Sequence, residues 1–189
     1  LYFCTEFEFD MMTNTNFSTK KEKKVFGRED VRRVLLLSNS FTRWNDFVEL
    51  LMKRNLTPDA AKFGFSFAYT CGHAPKLEAL AVLKRLENYL PVLEDEHAKA
   101  FFSELPERVT LFRGTSVSER ENGNFGISWT TNKQTAEFFA FRFQKKKHDA
   151  KDGVVLTTEI SKHDVLAVFT DRSEDEILIN TDTLNLNLN

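Results

Sequence analysis

Cysteine is scarce in this chain. Cys4 and Cys71 are the only two in 189 residues, and nothing in their spacing pairs them. That excludes a disulfide framework and a cysteine-based zinc site, and it fits a reducing compartment. Histidine is equally thin: His73, His97, His148 and His163 show no metal-ligand spacing, so they read as structural or surface residues and no metal is expected. The seven glycines contain no dinucleotide-binding fingerprint, since Gly114, Gly123 and Gly126 do not form one. No apolar run approaches the roughly 20 residues of a membrane helix. The first residues lack the basic start and long apolar stretch of a signal peptide. The expectation is a cytoplasmic protein with no membrane partner. A net charge of -2 also excludes a chain built throughout as a polycation for nucleic acid. Lysines do cluster at Lys20, Lys21, Lys23 and Lys24 and at Lys145, Lys146 and Lys147, as solvated surface or as a local patch facing RNA or DNA.

What is present is an ordinary globular balance, 41% hydrophobic and 29% charged, in a length suited to one core. The 19 phenylalanines are assigned to core packing. Residues 1–27 are read as an N-terminal extension, and residues 1–10, which precede Met11 and Met12, are set aside. Residues 28–189 are read as a single domain, helical over 28–105 and mainly β over 106–180.

Apolar spacing predicts helices over Asp30–Leu37, Trp44–Lys53 and about Leu77–Leu86, the last with Pro75 in its first turn. A fourth is predicted over Asp95–Leu105, stopped before Pro106. Gly64 and the Tyr69–His73 stretch are placed in or near a connection. Strands are predicted over Val109–Arg113, Phe125–Trp129, Val154–Ile160, Val165–Phe169 and Ile177–Ile179. One helix interrupts them, with a capping box from Thr131 and Gln134 ahead of Ala136, Phe138, Phe139 and Phe143. The class is α+β. The tail from Asn180 is either a weak edge strand or unstructured.

Three short segments carry polar side chains at strand ends. Leu111-Phe112-Arg113-Gly114-Thr115 closes one predicted strand. Ser128-Trp129-Thr130-Thr131 closes the next, and Glu174-Asp175-Glu176 opens the aliphatic run Ile177-Leu178-Ile179. Each segment alone is unremarkable as a surface arginine, a helix cap or an acidic turn. Taken together, in this order, they supply a guanidinium, a hydroxyl and a carboxylate. Cleaving a glycosidic bond through an oxocarbenium-like transition state needs a carboxylate held rigidly beside the developing positive charge.

The set resembles the arginine–serine–glutamate signature of the cholera-toxin-like mono-ADP-ribosyltransferase superfamily, in a small bacterial or phage-type form, over about residues 105–180. The resemblance implies a split β-sheet core and NAD as co-substrate, bound without a Rossmann motif. It implies that Arg113 contacts NAD, with Gly114 and Thr115 beside it, and that Ser128 orients the catalytic carboxylate of Glu176. Trp129 stands where the family more often has threonine, and Thr130 follows it in the pocket lining. Glu174 takes the position that activates an arginine acceptor in relatives, which favours a protein arginine as substrate. Asp175 is expected to face away.

Among the aromatic candidates for stacking on nicotinamide, Phe138, Phe139, Phe143 and Phe169, Phe139 is preferred. The loop around Arg172 is where the resemblance places acceptor choice. Two other readings stand beside this one: ADP-ribosylation of RNA or DNA bases by a toxin or antiphage effector, and a non-enzymatic module that binds an NAD-like ligand or a partner. If the chain is an endogenous toxin, an inhibitory antitoxin or chaperone partner is expected.

Overall fold

Helix α1 (Arg28–Leu37) begins where Asp30 folds back to accept from the Gly27 amide at 3.1 Å, satisfying a donor that the first turn would otherwise leave open. Val31 and Leu35, one turn apart, are its buried face. Helix α2 (Arg43–Lys53) buries Trp44, Phe47 and Leu50. Helix α4 (Lys76–Arg85) runs on from Pro75 and is tied to α2 by the Trp44 indole, which donates to Glu78 at 2.8 Å. Pro75 is thus the residue before the helix rather than part of its first turn. A two-residue parallel pair, β1 (Val25–Phe26) with β2 (Asn55–Leu56), closes the outer end of this region. In this computed structural model the described residues are 24–93, 95–123, 125–143, 153–170 and 175–181. Among them no helix is long and apolar enough to cross a membrane.

The largest departure from expectation is helix α3, Pro58–Cys71, where a connection was placed. It opens with Thr57 as cap, its hydroxyl accepting from the Ala60 amide, and with proline in the first turn. The sequence hides it for a physical reason. Phe63, Phe65, Phe67 and Tyr69 recur every second residue, and the helix is covered almost all round, so no amphipathic stripe appears. Gly64 is a contact and not a turn: a Cβ there would stand 2.5 Å from the Phe47 ring.

The sheet is one mixed six-stranded layer in the order β3-β7-β8-β5-β4-β6, following a helical N-terminal region, so the α+β expectation holds. The strands are β3 (Val92–Leu93), β4 (Arg108–Ser116), β5 (Ser128–Thr130), β6 (Gly153–Ser161), β7 (Val165–Phe169) and β8 (Glu176–Ile179). β3 runs parallel to β7; the other neighbours are antiparallel. β4 and β6 pair over nine positions, whereas β4 meets β5 at the single pair Phe112↔Thr130. The sheet is therefore continuous but weakly joined between β5 and β4.

Two apolar clusters flank the sheet. One joins α1 to α4 with Ile127, Ala167, Phe169 and Leu178. The other gathers Val109, Leu111, Trp129, Ile177 and Ile179 with Ala98 of α5 (Glu96–Glu104). Asp95 caps α5 by accepting from the Ala98 amide at 2.7 Å.

After β4 comes a short helix α6 (Val117–Asn122), ended by Gly123 in the left-handed region at φ 65°. The sequence reading had only a turn there. Helix α7 (Lys133–Glu137) is capped by Asn132, whose side chain accepts from the Gln134 and Thr135 amides. This replaces the expected Thr131–Gln134 box. α7 continues as a π-helical segment over Phe138–Phe143, and such widened turns recur at functional sites.

Candidate active site

β5 and β8 build the floor of the site. Thr130 lies opposite Glu176 and Ser128 opposite Leu178. Side chains alternate along a strand and agree across a pair, so Ser128, Thr130 and Glu176 share one face. Trp129 and Ile177 point the other way into the second core cluster. The Trp129 indole is buried and donates to the Gly126 carbonyl at 3.0 Å. Its strand borders the cleft, but its ring does not offer the lining expected of it.

Arg113 arrives from β4 at the seam. The ladder that joins Phe112 to Thr130 does not extend to Gly114 and Ser128. Instead the Arg113 guanidinium donates from Nη1 to the Ser128 carbonyl at 2.8 Å, filling the gap between the strands. On its other edge it meets Glu119 of α6, with Nε 3.0 Å and Nη2 2.9 Å from Oε1. Burial on its own would raise the Glu119 carboxyl, but Arg113 and the Gly126 amide outweigh it and hold Glu119 below its ordinary range.

These side chains surround one cleft of about 240 Å³, lined by Arg113, Gly114, Ser128, Thr130, Phe139 and Glu176 among others. The volume is below the roughly 300–1,000 Å³ of pockets that enclose a drug-sized ligand. It has room for one ring-sized group and its neighbour rather than for a large ligand. Thus Arg113, Ser128, Thr130, Glu176, Gly114 and Phe139 are brought together as expected from sequence.

One expectation needs correction. Thr115 is fully buried next to Glu119 and does not reach the cleft. Gly114 serves the packing of α7 on β4, because a Cβ there would stand 1.9 Å from the Ala136 carbonyl oxygen. Asp175, just before β8, has φ 45°. Glu174 itself lies outside the described residues, as do Arg172, Lys145–Lys147 and the Phe143 side chain.

Two site residues were missed, Glu119 and Tyr69. Tyr69, on α3, donates its hydroxyl to Glu176 Oε1 at 3.3 Å. Burial first, and then the neighbouring Glu176 carboxylate, push its phenol well above the usual tyrosine range, so it stays a donor at any working pH. Its ring is stacked between Phe65 and Phe169, at 5.7 and 5.4 Å. Phe169, a candidate for nicotinamide stacking, is buried in that column and is not in the cleft lining. His97 also has a defined partner, with Nδ1 2.9 Å from the Thr170 hydroxyl at the end of β7. No signal in the sequence pointed to Tyr69, because its helix was read as a connection.

No protein-family model, curated protein or solved structure matches the chain. The chemistry of the cleft rests on its own residues. Among the described residues, no three His, Cys, Asp or Glu side chains gather as a metal site.

Proposed function

We propose that this chain is a mono-ADP-ribosyltransferase with an ADP-ribosyltransferase-like core, which cleaves NAD and transfers ADP-ribose to a macromolecular acceptor. The observation that carries the reading is the meeting of Arg113, Ser128 and Glu176 from three strands around one cleft. In this reading Arg113 binds the anionic diphosphate or the adjoining ribose, since a guanidinium matches such groups with charge-assisted bonds. Phe139 gives the nicotinamide ring an apolar face. Glu176, held by Tyr69, stabilises positive charge on the ribose as the glycosidic C–N bond breaks. The bonding pair leaves with nicotinamide. A nucleophilic atom of the acceptor then bonds to the anomeric carbon and loses its proton.

The Glu174-Asp175-Glu176 spelling favours an arginine side chain as acceptor. A nucleic acid base is the competing acceptor, and a cytoplasmic toxin restrained by an inhibitory partner is the setting that either implies. The test is incubation with NAD labelled in the adenylate part and a cell lysate. Wild type is expected to transfer label and Glu176→Gln to lose it while melting at the same temperature. Protease and nuclease digestion then separate the two acceptors. Absence of both labelled product and nicotinamide release from folded wild type sinks the reading. Free ADP-ribose without labelled macromolecule reduces it to NAD hydrolysis.

A further inference from the structure

Arg113 is held by groups that do not belong to its own strand. Glu119 Oε1 accepts from Nε at 3.0 Å and pairs with Nη2 at 2.9 Å, on one edge of the guanidinium. The same oxygen accepts from the Gly126 amide at 3.0 Å. The carbonyl of the same residue, on the next peptide unit, accepts from the Trp129 indole at 3.0 Å, so a buried ring anchors the residue whose amide holds the carboxylate. Residue 126 has to be glycine for this packing: a Cβ would stand 2.2 Å from Arg113 Nη2. The ion pair is largely enclosed, with 20% and 25% of the two side chains exposed. Of the five guanidinium N–H groups, these bonds and the one to Ser128 engage three. One on each terminal nitrogen is left without a partner among the described residues.

We propose that Glu119 is a positioning residue for NAD: it locks the plane of the Arg113 guanidinium so that its two remaining N–H groups form a fork for the diphosphate. Trp129 supports Glu119 indirectly, by anchoring the carbonyl of Gly126, whose amide binds the carboxylate. This rests on the NAD reading of the cleft. An arginine free to swing loses rotamer entropy when it captures a ligand, and one already clamped does not. The opposite effect is also physical, because a carboxylate beside Arg113 offsets its charge and could weaken its hold on an anion. The two effects have opposite signs, so the substitution that removes the charge but keeps the shape decides between them.

The experiment measures nicotinamide release as a function of NAD concentration, with NAD affinity by calorimetry. Glu119→Gln is expected to raise KM on the order of tenfold, the loss of charge-assisted hydrogen bonds, with kcat changed less than about threefold. Trp129→Phe, which keeps an aromatic ring in the core but removes the N–H together with the second ring, shifts KM the same way by a smaller factor, read on a variant whose melting temperature shows it folded. In an Arg113→Lys background, Glu119→Gln adds no further loss of affinity, because the fork it positions is already gone. Unchanged or tighter NAD binding by Glu119→Gln overturns the positioning role and leaves the NAD reading standing. Wild type that neither binds nor cleaves NAD overturns both.

Discussion

Replacing Tyr69 by phenylalanine removes one hydroxyl and leaves the ring in its stack between Phe65 and Phe169. The fold therefore has little reason to respond, and any change in activity reports on the bond to Glu176. Hydrogen bonds to charged groups contribute about 1.5–3 kcal/mol. This one, at 3.3 Å, is longer than the roughly 2.5–3.0 Å of a strong O–H···O contact. A value of about 1–1.5 kcal/mol is the reasonable choice, worth about five- to tenfold in kcat/KM.

The sign of the pH effect follows from which form the donor favours. A phenol that donates to a carboxylate stabilises the charged form, so its removal makes Glu176 easier to protonate. The acid limb of the pH–rate profile should then move to higher pH. Tyrosine ionisation does not complicate the alkaline side, because the Tyr69 phenol is pushed well above its usual range. The assay is nicotinamide release across about pH 4 to 9 at saturating and limiting NAD. An acid limb that stays in place, with kcat/KM within about twofold of wild type, refutes the argument that Tyr69 acts on Glu176.

Two further outcomes are expected. The Glu119 carboxyl is held below its ordinary value of 4.5 in the folded state, so its contribution to stability is complete above that pH and is lost as pH falls through the depressed folded value. Melting temperature against pH should therefore drop less steeply on acidification in Glu119→Gln than in wild type; parallel curves refute the coupling. Gly114→Ala places a Cβ 1.9 Å from the Ala136 carbonyl oxygen, a backbone atom that moves only with α7. A destabilisation of about 3 kcal/mol or more by denaturant titration is expected, whereas Gly123→Ala meets no atom within 4 Å and strains only its left-handed φ.

The β half of the molecule was legible because its strands are short runs of β-branched and aliphatic residues bounded by polar turns. Val165–Phe169 is the same in sequence and structure, and Asp95 was visible as the start of α5 because an acidic cap before an apolar stripe is a local feature. The site motifs were legible because polar residues interrupt these runs, although β4 continues past Arg113 to Ser116 where the sequence reading ended the strand. What was not legible depends on tertiary contact. α3 is covered on nearly every side, so it shows no stripe, and its aromatic residues at every second position imitate a strand. Glu119 was hidden because α6 is only six residues long and reads as a polar turn. Thr115 was misplaced because a motif gives neighbours in sequence, whereas β4 goes from half-buried at Arg113 and Gly114 to fully buried at Thr115.

The weak seam between β4 and β5 explains why the site lies where it does. A fully paired seam would occupy the Ser128 carbonyl with a backbone amide and leave no room for a guanidinium. With one bridging pair, the strands part beyond Phe112 and Thr130, and Arg113 takes over the open acceptor on Ser128. A buried charge needs a partner, and Glu119 supplies it from the helix that follows β4 directly. On the other side of the cleft, Glu176 sits at the first position of β8 and is steadied from outside the sheet by Tyr69. The two charged groups are thus fixed by separate supports, α6 for Arg113 and α3 for Glu176. Loosening one should leave the other in place. Substitutions at Glu119 should therefore act on substrate affinity and those at Tyr69 on the pH profile, and the double variant Tyr69→Phe with Glu119→Gln should combine the two losses additively. A double variant no worse than either single one would mean that the cleft responds as a unit and that this division of labour is wrong.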